Sequence, residues 1–298
     1  MTRRAMAGRL LAGALVAALP VPGHALDPQP TGVPRRIVAL DWTAAAMLLS
    51  LGAAPAGVGD AELYRIWVAE PALPPDTPDL GLRDAPNPEI IAALKPDLIL
   101  VSPLGAATRP LLERIAPTFE VSIAGGGDVL AEAGTQLRLL GRLLERGPEA
   151  DKVIADSNAR FGALRARLGP AARRRPLVVQ FLDARFVRVY GHGSMPGAAL
   201  ERLGLTNAWT RPVNDWGFAL VGTEKLAAFP DADIVVVDPL PAGVTIAPDP
   251  ASLWGNLPSV RQGRVRHLPA VWTFGEITAA NRFATLLVDR LGSGDARF

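Results

Sequence analysis

The segment NPEIIAALKPDLILVSP, residues 87–103, decides the fold class of this chain. Asn87 can cap a helix, Pro88 suits its first turn, and Pro96 ends it because proline cannot donate the next helical hydrogen bond. The apolar run that follows, residues 97–102, predicts a short buried strand. A helix and a strand this close together in the chain favour a parallel α/β layer.

A weak echo of this segment lies in the second half of the chain, EKLAAFPDADIVVVDP, residues 224–239. Both copies run from a Glu through an Ala-Ala helix and a Pro-Asp break to an apolar strand and a final Pro. Because one copy falls in each half of the chain, we predict an α/β fold of two similar lobes.

Outward from these copies the chain continues to alternate. RIVAL, residues 36–40, predicts a buried strand, and TAAAMLLSLG, residues 43–52, predicts a helix closed by its glycine. Residues 129–168 are helical in pattern almost throughout, with one break at Gly147-Pro148. The second part has none of the Gly/Ser-rich composition of a flexible linker.

We therefore predict an N-terminal lobe over residues 26–146 and a C-terminal lobe over residues 169–298. A single long rigid helix, residues 147–168, joins them. A shallow ligand cleft between two lobes held in this way would close only slightly.

The first 25 residues predict an export signal. They carry paired arginines at Arg3-Arg4, an apolar run over residues 10–19 that is too short to span a bilayer, and a small-x-small site ending at Ala25. The paired arginines favour the Tat route. No Cys follows the apolar run, so a lipid anchor is not indicated, and the expected location is the periplasm.

The charge balance argues against a nucleic-acid partner. The chain has 31 basic and 29 acidic residues, and three of the basic ones lie in the leader. The rest of the chain is therefore close to neutral, which removes the compositional support for a polyanionic partner.

Candidate catalytic and metal-binding residues are sparse. After export only His192 and His267 remain, they are not at ligand spacing, and the chain has no Cys. GHGSMPG, residues 191–197, lacks the G-x-S-x-G pattern and predicts a strand-to-helix turn. AGGGDVL, residues 124–130, ends in Leu where a dinucleotide fingerprint needs Gly, so it predicts only the start of a helix. Catalytic signals in the sequence are therefore few and poor, and a protein-held zinc or redox iron site is not indicated.

Tryptophans give a stronger pattern. One Trp alone is most simply core packing. Five stand beside turn residues or just after strands, where ligands bind in open α/β sheets, and together they predict an aromatic-lined cleft. These five are Trp42, Trp67, Trp209, Trp216 and Trp272.

Arg83, in DLGLRDAPNPE, is the charged residue with the clearest binding chemistry. It precedes the predicted helix cap Asn87 in a connection expected to face the cleft. Its planar guanidinium can donate to carbonyl or anionic oxygens of a ligand. The alternative is a surface pair with Asp84 or Glu89, which would contribute little.

Several stretches together resemble a known family over nearly the whole mature chain, the periplasmic ferric-hydroxamate-binding proteins of iron-siderophore ABC importers. The stretches are RIVALDWTAAAMLLSLG, YRIWVAEPALP, GLRDAPNPEIIAALKPD, NAWTRPVNDWG and RVRHLPAVWTFG. The resemblance implies two α/β lobes bridged by one long helix, with a shallow aromatic cleft between them.

The resemblance also implies roles for single residues. Arg83 would contact the hydroxamate oxygens around Fe(III), and Trp216 would approach the same chelate from the other lobe. Gly105 stands where the family has a Tyr that bonds the chelate, which leaves a gap beside Leu104 for a bulkier ligand. The remaining cleft wall would be formed by Trp42, Trp67, Trp209, Trp272 and Phe274.

The implied function is that of a monomeric receptor that captures an intact Fe(III)-hydroxamate complex. The siderophore would supply every iron ligand, so no protein-held metal or cofactor is expected. The receptor would deliver its ligand to an inner-membrane ABC permease driven by an ATPase. Glu113 and Glu201, one on each lobe, are the candidates for permease docking.

Two alternatives remain open from the sequence. One is a receptor of the same fold for another chelate, such as a catecholate siderophore, haem or cobalamin. Catecholate complexes carry more negative charge and should require several basic cleft residues, whereas Arg83 is the one that the sequence indicates. The other is a periplasmic siderophore esterase, against which the lack of a Ser-His-acid set argues.

Overall fold

The computed structural model describes residues 32–123 and 127–292. The predicted export signal, residues 1–25, lies outside this part of the chain. Across the described residues, no helix combines the length and the apolar character needed to cross a bilayer.

The N-terminal lobe is a four-stranded parallel sheet in the order β2-β1-β3-β4. Its strands are β1 (Ile37–Ala39), β2 (Gly57–Val58), β3 (Leu98–Val101) and β4 (Thr118–Glu120). Its helices are α1 (Trp42–Ser50), α2 (Ala61–Trp67), α3 (Pro88–Ala93) and α4 (Arg109–Leu112), with a 3-10 turn at Pro103–Gly105.

The segment at residues 87–103 folds as its sequence predicts. The Asn87 side chain accepts hydrogen bonds from the backbone N–H of Glu89 (2.9 Å) and of Ile90 (3.3 Å), and Pro88 is the first residue of α3. Strand β3 follows and is buried along its whole length, because it lies between β1 and β4. The prediction of a parallel α/β layer is confirmed.

Two helices follow the first sheet, α5 (Val129–Leu143) and α6 (Gly147–Leu168). The break between them, residues 144–146, directly precedes the predicted Gly147-Pro148 pair, which begins α6. Helix α6 covers the residues predicted for the connecting helix, whereas the lobe boundaries at residues 26–146 and 169–298 stay predictions.

The C-terminal lobe is a five-stranded mixed sheet in the order β7-β6-β5-β8-β9. Its strands are β5 (Pro176–Phe181), β6 (Phe186–Tyr190), β7 (Phe218–Gly222), β8 (Asp233–Val237) and β9 (Val265–Leu268). Its helices are α7 (Met195–Leu203), α8 (Pro258–Arg261) and α9 (Ile277–Gly292), with a 3-10 turn at Thr223–Ala228.

The two echoing segments occupy equivalent places in the two sheets. Strand β8 runs parallel between β5 and β9, as β3 runs parallel between β1 and β4. The likeness ends there, because the helical part of the second copy is a 3-10 turn and the C-terminal sheet continues through the antiparallel strands β6 and β7.

The lobes share one large core. Helices α5, α6, α7 and α9 pack against one another. Met47 of the first lobe, Leu137 and Phe161 of α5 and α6, and Phe283 of α9 belong to a single buried cluster. Helix α6 is therefore packed along its length rather than suspended between two separate cores, which favours a fixed geometry between the lobes.

Candidate functional site

A cavity of about 500 Å³ opens between the lobes, next to the carboxyl ends of β1, β3 and β4. Ligands of open α/β sheets bind at this edge of the sheet. The lining is mostly apolar and aromatic, with a few polar groups. It consists of Asp41, Trp42, Thr43, Leu63, Trp67, Arg83, Ser102, Pro103, Leu104, Val121, Ser122, Ile123, Arg188, Trp216, Phe218, Trp272 and Phe274.

Arg83 forms the polar centre of the N-terminal wall. Its backbone N–H donates to the Asp60 carboxylate (3.1 Å), and its Nε lies 3.6 Å from the same oxygen. Its guanidinium carbon lies 3.8 Å from the centroid of the Trp42 ring. The carboxylate beside Arg83 is therefore that of Asp60 and not that of Asp84 or Glu89, and the guanidinium faces the cavity.

The loop that carries Arg83 is fixed by its backbone. Gly81 has a φ of +84°, a left-handed conformation that glycine adopts without strain, and it pairs with Pro86 across the loop. The Asp79 carboxylate accepts hydrogen bonds from Gly81 N–H (2.7 Å) and from Ala61 N–H at the start of α2 (2.8 Å). The cation is thus presented from a rigid turn.

Trp42 is buried beneath the Arg83 guanidinium. It is the first residue of α1, and its indole N–H donates to the Gly59 carbonyl (2.9 Å). Its ring meets the ring of Trp272 edge to face, with centroids 4.8 Å apart. Trp42 therefore forms the floor of the cleft under the arginine, and little of its surface is free for a ligand.

Thr43 links the lobes at this floor. Its hydroxyl donates to the Phe274 carbonyl (3.0 Å) and accepts a hydrogen bond from the Trp272 indole N–H (3.1 Å). A second link joins Arg282 of α9 to Glu70, which follows α2. These contacts fix the C-terminal aromatic residues relative to the first lobe.

The C-terminal wall is an aromatic cluster centred on Phe274. Its ring makes edge contacts with Trp272 (5.2 Å), Phe218 (5.9 Å), Trp216 (6.0 Å) and Tyr190 (6.2 Å) between centroids. Edge contacts of this kind stabilise an aromatic cluster, and they add to the hydrogen bonds that Thr43 makes with Trp272 and Phe274. Trp216 remains 41% exposed and therefore offers a free ring to a ligand.

Asn214 and Gly217 hold Trp216 at the rim. The Asn214 side chain accepts from the backbone N–H of Trp216 (3.1 Å) and of Phe218 (3.2 Å), which closes a tight turn. Gly217 has a φ of +76°, and a Cβ there would lie 2.3 Å from the backbone nitrogen of Ser194. Any larger residue would displace the turn and the Trp216 ring with it.

Trp209 does not line the cleft, and the prediction that placed it there is wrong. It is 5% exposed and belongs to the core of the C-terminal lobe, where its ring lies 5.3 Å from that of Phe229. Its indole N–H is buried without a hydrogen-bond partner. Trp209 therefore packs the lobe from within, on the side of the sheet away from the cavity lining.

Trp67 and Leu104 belong to the cavity lining on the N-terminal side. Trp67 is the last residue of α2, half-buried, and Leu104 is 58% exposed in the 3-10 turn after β3. Both face the cavity. Gly105, next to Leu104, does not have a left-handed backbone, and a Cβ there would meet only the Thr108 hydroxyl, at 3.7 Å.

The structure adds a cleft cation that sequence reasoning missed. Arg188 of β6 faces the cavity, with its guanidinium carbon 5.4 Å from the Phe218 ring centroid. It lies two residues before Tyr190, whose hydroxyl bonds Gln180 and Thr273 and whose pKa is raised to about 12 by burial. The sequence feature that could have pointed to Arg188 is that it is the single charged residue inside the apolar strand FVRVY.

The candidate docking residues lie outside the cleft lining. Glu113 accepts hydrogen bonds from Arg109 Nε (2.8 Å) and the Thr118 hydroxyl (3.2 Å), and the Arg109 bond lowers the pKa of its carboxyl. Glu201 of α7 is exposed and bonds the His192 ring (2.9 Å).

The Ser and His residues considered as catalytic candidates form hydrogen bonds that stabilise the fold. Ser194 caps α7 and bonds the Gly191 carbonyl (2.7 Å), as expected for a strand-to-helix turn. His267 bonds Asp238 (2.7 Å), far along the chain from His192. Over the described ranges, no three His, Cys, Asp or Glu side chains come together as a metal site.

This fold and cleft define a class, that of two-lobed solute-binding proteins. The matching family model is that of the periplasmic binding proteins and spans residues 37–271. The chain belongs to this family, whose members are binding proteins, not enzymes, and act outside the cytoplasmic membrane.

Similar proteins narrow the class. The chain is 34% identical over 259 residues to the iron(3+)-hydroxamate-binding protein FhuD of Escherichia coli K12, covering 87% of this chain and 88% of that protein. It is 30% identical to a probable siderophore-binding lipoprotein of Bacillus subtilis, over 83% of this chain and 79% of that one. The crystal structure of Vibrio cholerae FhuD bound to Fe3+-Desferal matches with a TM-score of 0.82 at 28% identity, over 87% and 98% of the two chains.

Proposed function

We propose that this protein captures intact Fe(III)-hydroxamate siderophores in the periplasm and delivers them to an inner-membrane ABC permease for iron uptake. The observation that carries the proposal is the cavity itself, where Arg83 faces an aromatic wall across about 500 Å³. The similarity to a hydroxamate-binding protein of Escherichia coli supports the ligand class.

The residues of the two walls have complementary chemistry for such a ligand. A hydroxamate chelate presents a compact ring of oxygen atoms around Fe(III), and a guanidinium donates to such oxygens through several N–H groups. The organic backbone of the siderophore is largely apolar and suits Trp216, Trp67 and Phe274. Hard Fe(III) is satisfied by siderophore oxygens, so the iron requires no ligand from the protein.

A titration tests this proposal. Ferric Desferal added to the mature protein should quench Trp emission at a stoichiometry of one, and calorimetry should give the same dissociation constant. Haem, cobalamin and a ferric catecholate serve as competitors, and a ferric salt without siderophore serves as the control. Saturable binding of the bare salt at a defined site, or preference for one of the competitors, would contradict the proposal.

Delivery to the permease is assigned to Glu113 and Glu201. Both carboxylates are on the surface, one on each lobe, and away from the cavity. Charge reversal at both positions should abolish uptake of labelled ferric hydroxamate while leaving its binding unchanged. The matched control reverses Glu89 and Asp231, exposed acids of the two lobes at other places, and uptake should then persist.

The remaining parts of the proposal concern export and assembly. Cleavage after Ala25 by the Tat route is supported by the paired arginines and the small-x-small site. Mass spectrometry of the periplasmic protein gives the cleavage site, and retention of the precursor in a Tat-deficient strain tests the route. Light scattering measures the molar mass of the mature chain in solution and so tests whether it is a monomer.

A further inference from the structure

Arg188 places a second positive charge in the cleft, on the wall opposite Arg83. It projects from β6 beside the aromatic cluster, with its guanidinium carbon 5.4 Å from the Phe218 ring centroid and 5.7 Å from that of Phe274. Its side chain is half-buried and lines the same cavity as Arg83. The two arginines therefore reach one ligand from different lobes.

The surroundings of the two charges differ. Arg83 has the Asp60 carboxylate 3.6 Å from its Nε. The acid that lines the cavity, Asp41, accepts from the backbone N–H of Thr43 (2.8 Å) and Ala44 (3.3 Å) at the start of α1. On the N-terminal wall one arginine thus stands with two carboxylates, those of Asp60 and Asp41. On the C-terminal wall Arg188 is a cation without a carboxylate partner among the described residues.

A cation that lacks a carboxylate partner and lies beside apolar rings discriminates between ligands by their charge. When a ligand displaces water from the cleft, the guanidinium loses hydration and the local dielectric constant falls, so its attraction to an anion and its repulsion of a cation both grow. The Fe(III) trihydroxamate core is neutral, because three hydroxamate anions balance the ferric ion. The charge that Arg188 senses must therefore lie in the periphery of the siderophore.

We propose that Arg188 is a specificity-determining residue that selects ferric hydroxamates with a negatively charged peripheral group, such as a carboxylate. The proposal rests on the proposed function, since it concerns the preference of the same cleft among ferric hydroxamates. The chelate core meets Arg83 on the N-terminal wall, and the anionic group meets Arg188 on the C-terminal wall.

A series of three ligands tests the proposal on the wild-type protein. Ferric Desferal has a terminal ammonium group, its N-acetyl derivative is neutral, and its N-succinyl derivative ends in a carboxylate, while the iron core stays the same. The succinyl complex should bind tightest and the ammonium complex weakest, with a spread of roughly tenfold to a hundredfold in dissociation constant. The spread should shrink at high salt.

Variants separate Arg188 from the general charge of the protein. Arg188→Met should reduce the spread to within about threefold and change the affinity for the neutral complex least. Arg188→Lys should keep most of the spread. The matched control is Arg211→Met, because Arg211 also lies over aromatic rings of the C-terminal lobe, 5.6 Å from the Trp209 centroid, but outside the cavity lining.

Each outcome has one meaning. If none of the three complexes binds, the proposed function itself fails, and the charge preference fails with it. If all three bind the wild type equally, or if Arg188→Met keeps the full spread with the fold intact, the charge-selection proposal is overturned while the proposed function stands. A spread lost equally in Arg211→Met would assign the preference to net charge and also overturn the proposal.

Discussion

The two walls of the cleft are held by different kinds of interaction. On the N-terminal wall, Arg83 is fixed by the Asp60 carboxylate and by Trp42, whose indole N–H bonds the Gly59 carbonyl. On the C-terminal wall, Thr43 bonds the Phe274 carbonyl and the Trp272 indole, while the rings of Trp216 and Phe218 meet the Phe274 ring by their edges. Directional polar contacts fix a donor in one place, whereas ring-edge packing tolerates small shifts.

The difference implies a division of labour between the walls. The N-terminal wall presents a preorganised donor for the chelate, and the C-terminal wall presents a surface that adapts to the outer parts of the ligand. The loop at residues 207–218 carries both kinds of C-terminal residue, since Trp209 is buried in the lobe and Trp216 is 41% exposed at the cleft. The following substitutions test this division.

Trp209→Ala should produce the largest effect, and it should act on stability. Removing a buried Trp that packs on Phe229 leaves a large cavity, and such truncations cost about 3–5 kcal/mol of unfolding free energy. Denaturant unfolding measures the loss, and the protein that remains folded should bind its ligand with wild-type affinity.

Trp209→Phe is the matched control for this position. The buried indole N–H has no hydrogen-bond partner, so the Phe variant loses volume but no hydrogen bond. We expect it to lose only about 1–2 kcal/mol. A strong loss of ligand affinity in either folded variant would show that Trp209 contributes to the cleft wall, as Trp216 does, and would contradict the contrast between the two residues.

Arg83→Ala should weaken binding of ferric hydroxamates by about 1.5–3 kcal/mol, as expected for a hydrogen bond to a charged group. Calorimetry checks the value, and Arg83→Lys should recover only part of it because an ammonium lacks the planar set of donors. If Arg83→Ala leaves the affinity unchanged while Trp216→Ala abolishes binding, the C-terminal wall provides the main anchor for the ligand. The roles proposed for the two walls would then be reversed.

Trp216→Ala should cost about 1–2 kcal/mol of binding free energy, because the exposed ring covers apolar ligand surface. Its unfolding free energy should stay within about 0.5 kcal/mol of the wild type, since the ring is on the rim. Measuring both quantities for Trp216→Ala and Trp209→Ala gives opposite patterns for two residues of one loop. Similar patterns would show that the loop acts as a unit.

Gly105→Tyr should have the smallest effect, a shift of about 0.5–1 kcal/mol in relative affinity toward a compact trihydroxamate over a bulky one. The added side chain would fill space beside Leu104 on the N-terminal wall. The backbone at Gly105 is not left-handed and a Cβ meets only Thr108, so the fold should accept the change. An equal change in affinity for both ligands would argue against selection by size at this wall.

Local sequence patterns predicted most of the fold. The helix at Pro88–Ala93, the strand at Leu98–Val101 and the break before Gly147 all rest on proline, capping and apolar runs, which act between neighbours in the chain. The echo at residues 224–239 correctly indicated an equivalent strand. It did not indicate the 3-10 turn or the antiparallel strands β6 and β7, because pairing partners are distant in sequence.

The cleft was predictable in part. Arg83, Trp67, Trp216 and Trp272 were indicated by their places after strands or in turns, Phe274 and Leu104 by the family resemblance. All six line the cavity. Trp209 has the same local context as Trp216, yet it packs in the lobe. Arg188 lies in the middle of a strand, where a charge gives no sign of which sheet face meets the other lobe.

The sequence by itself determined the alternation of helices and strands, the long helix at Gly147–Leu168 and the loop positions of Trp209, Trp216 and Trp272, because these depend on backbone preferences within a few residues. Only the tertiary structure decided which side chains meet across the cleft. The contact of Thr43 with Phe274 and the approach of Arg188 toward the cavity of Arg83 join residues that are more than a hundred positions apart. Such pairs are set by how the two sheets pack on the shared helices, and no local pattern records that packing.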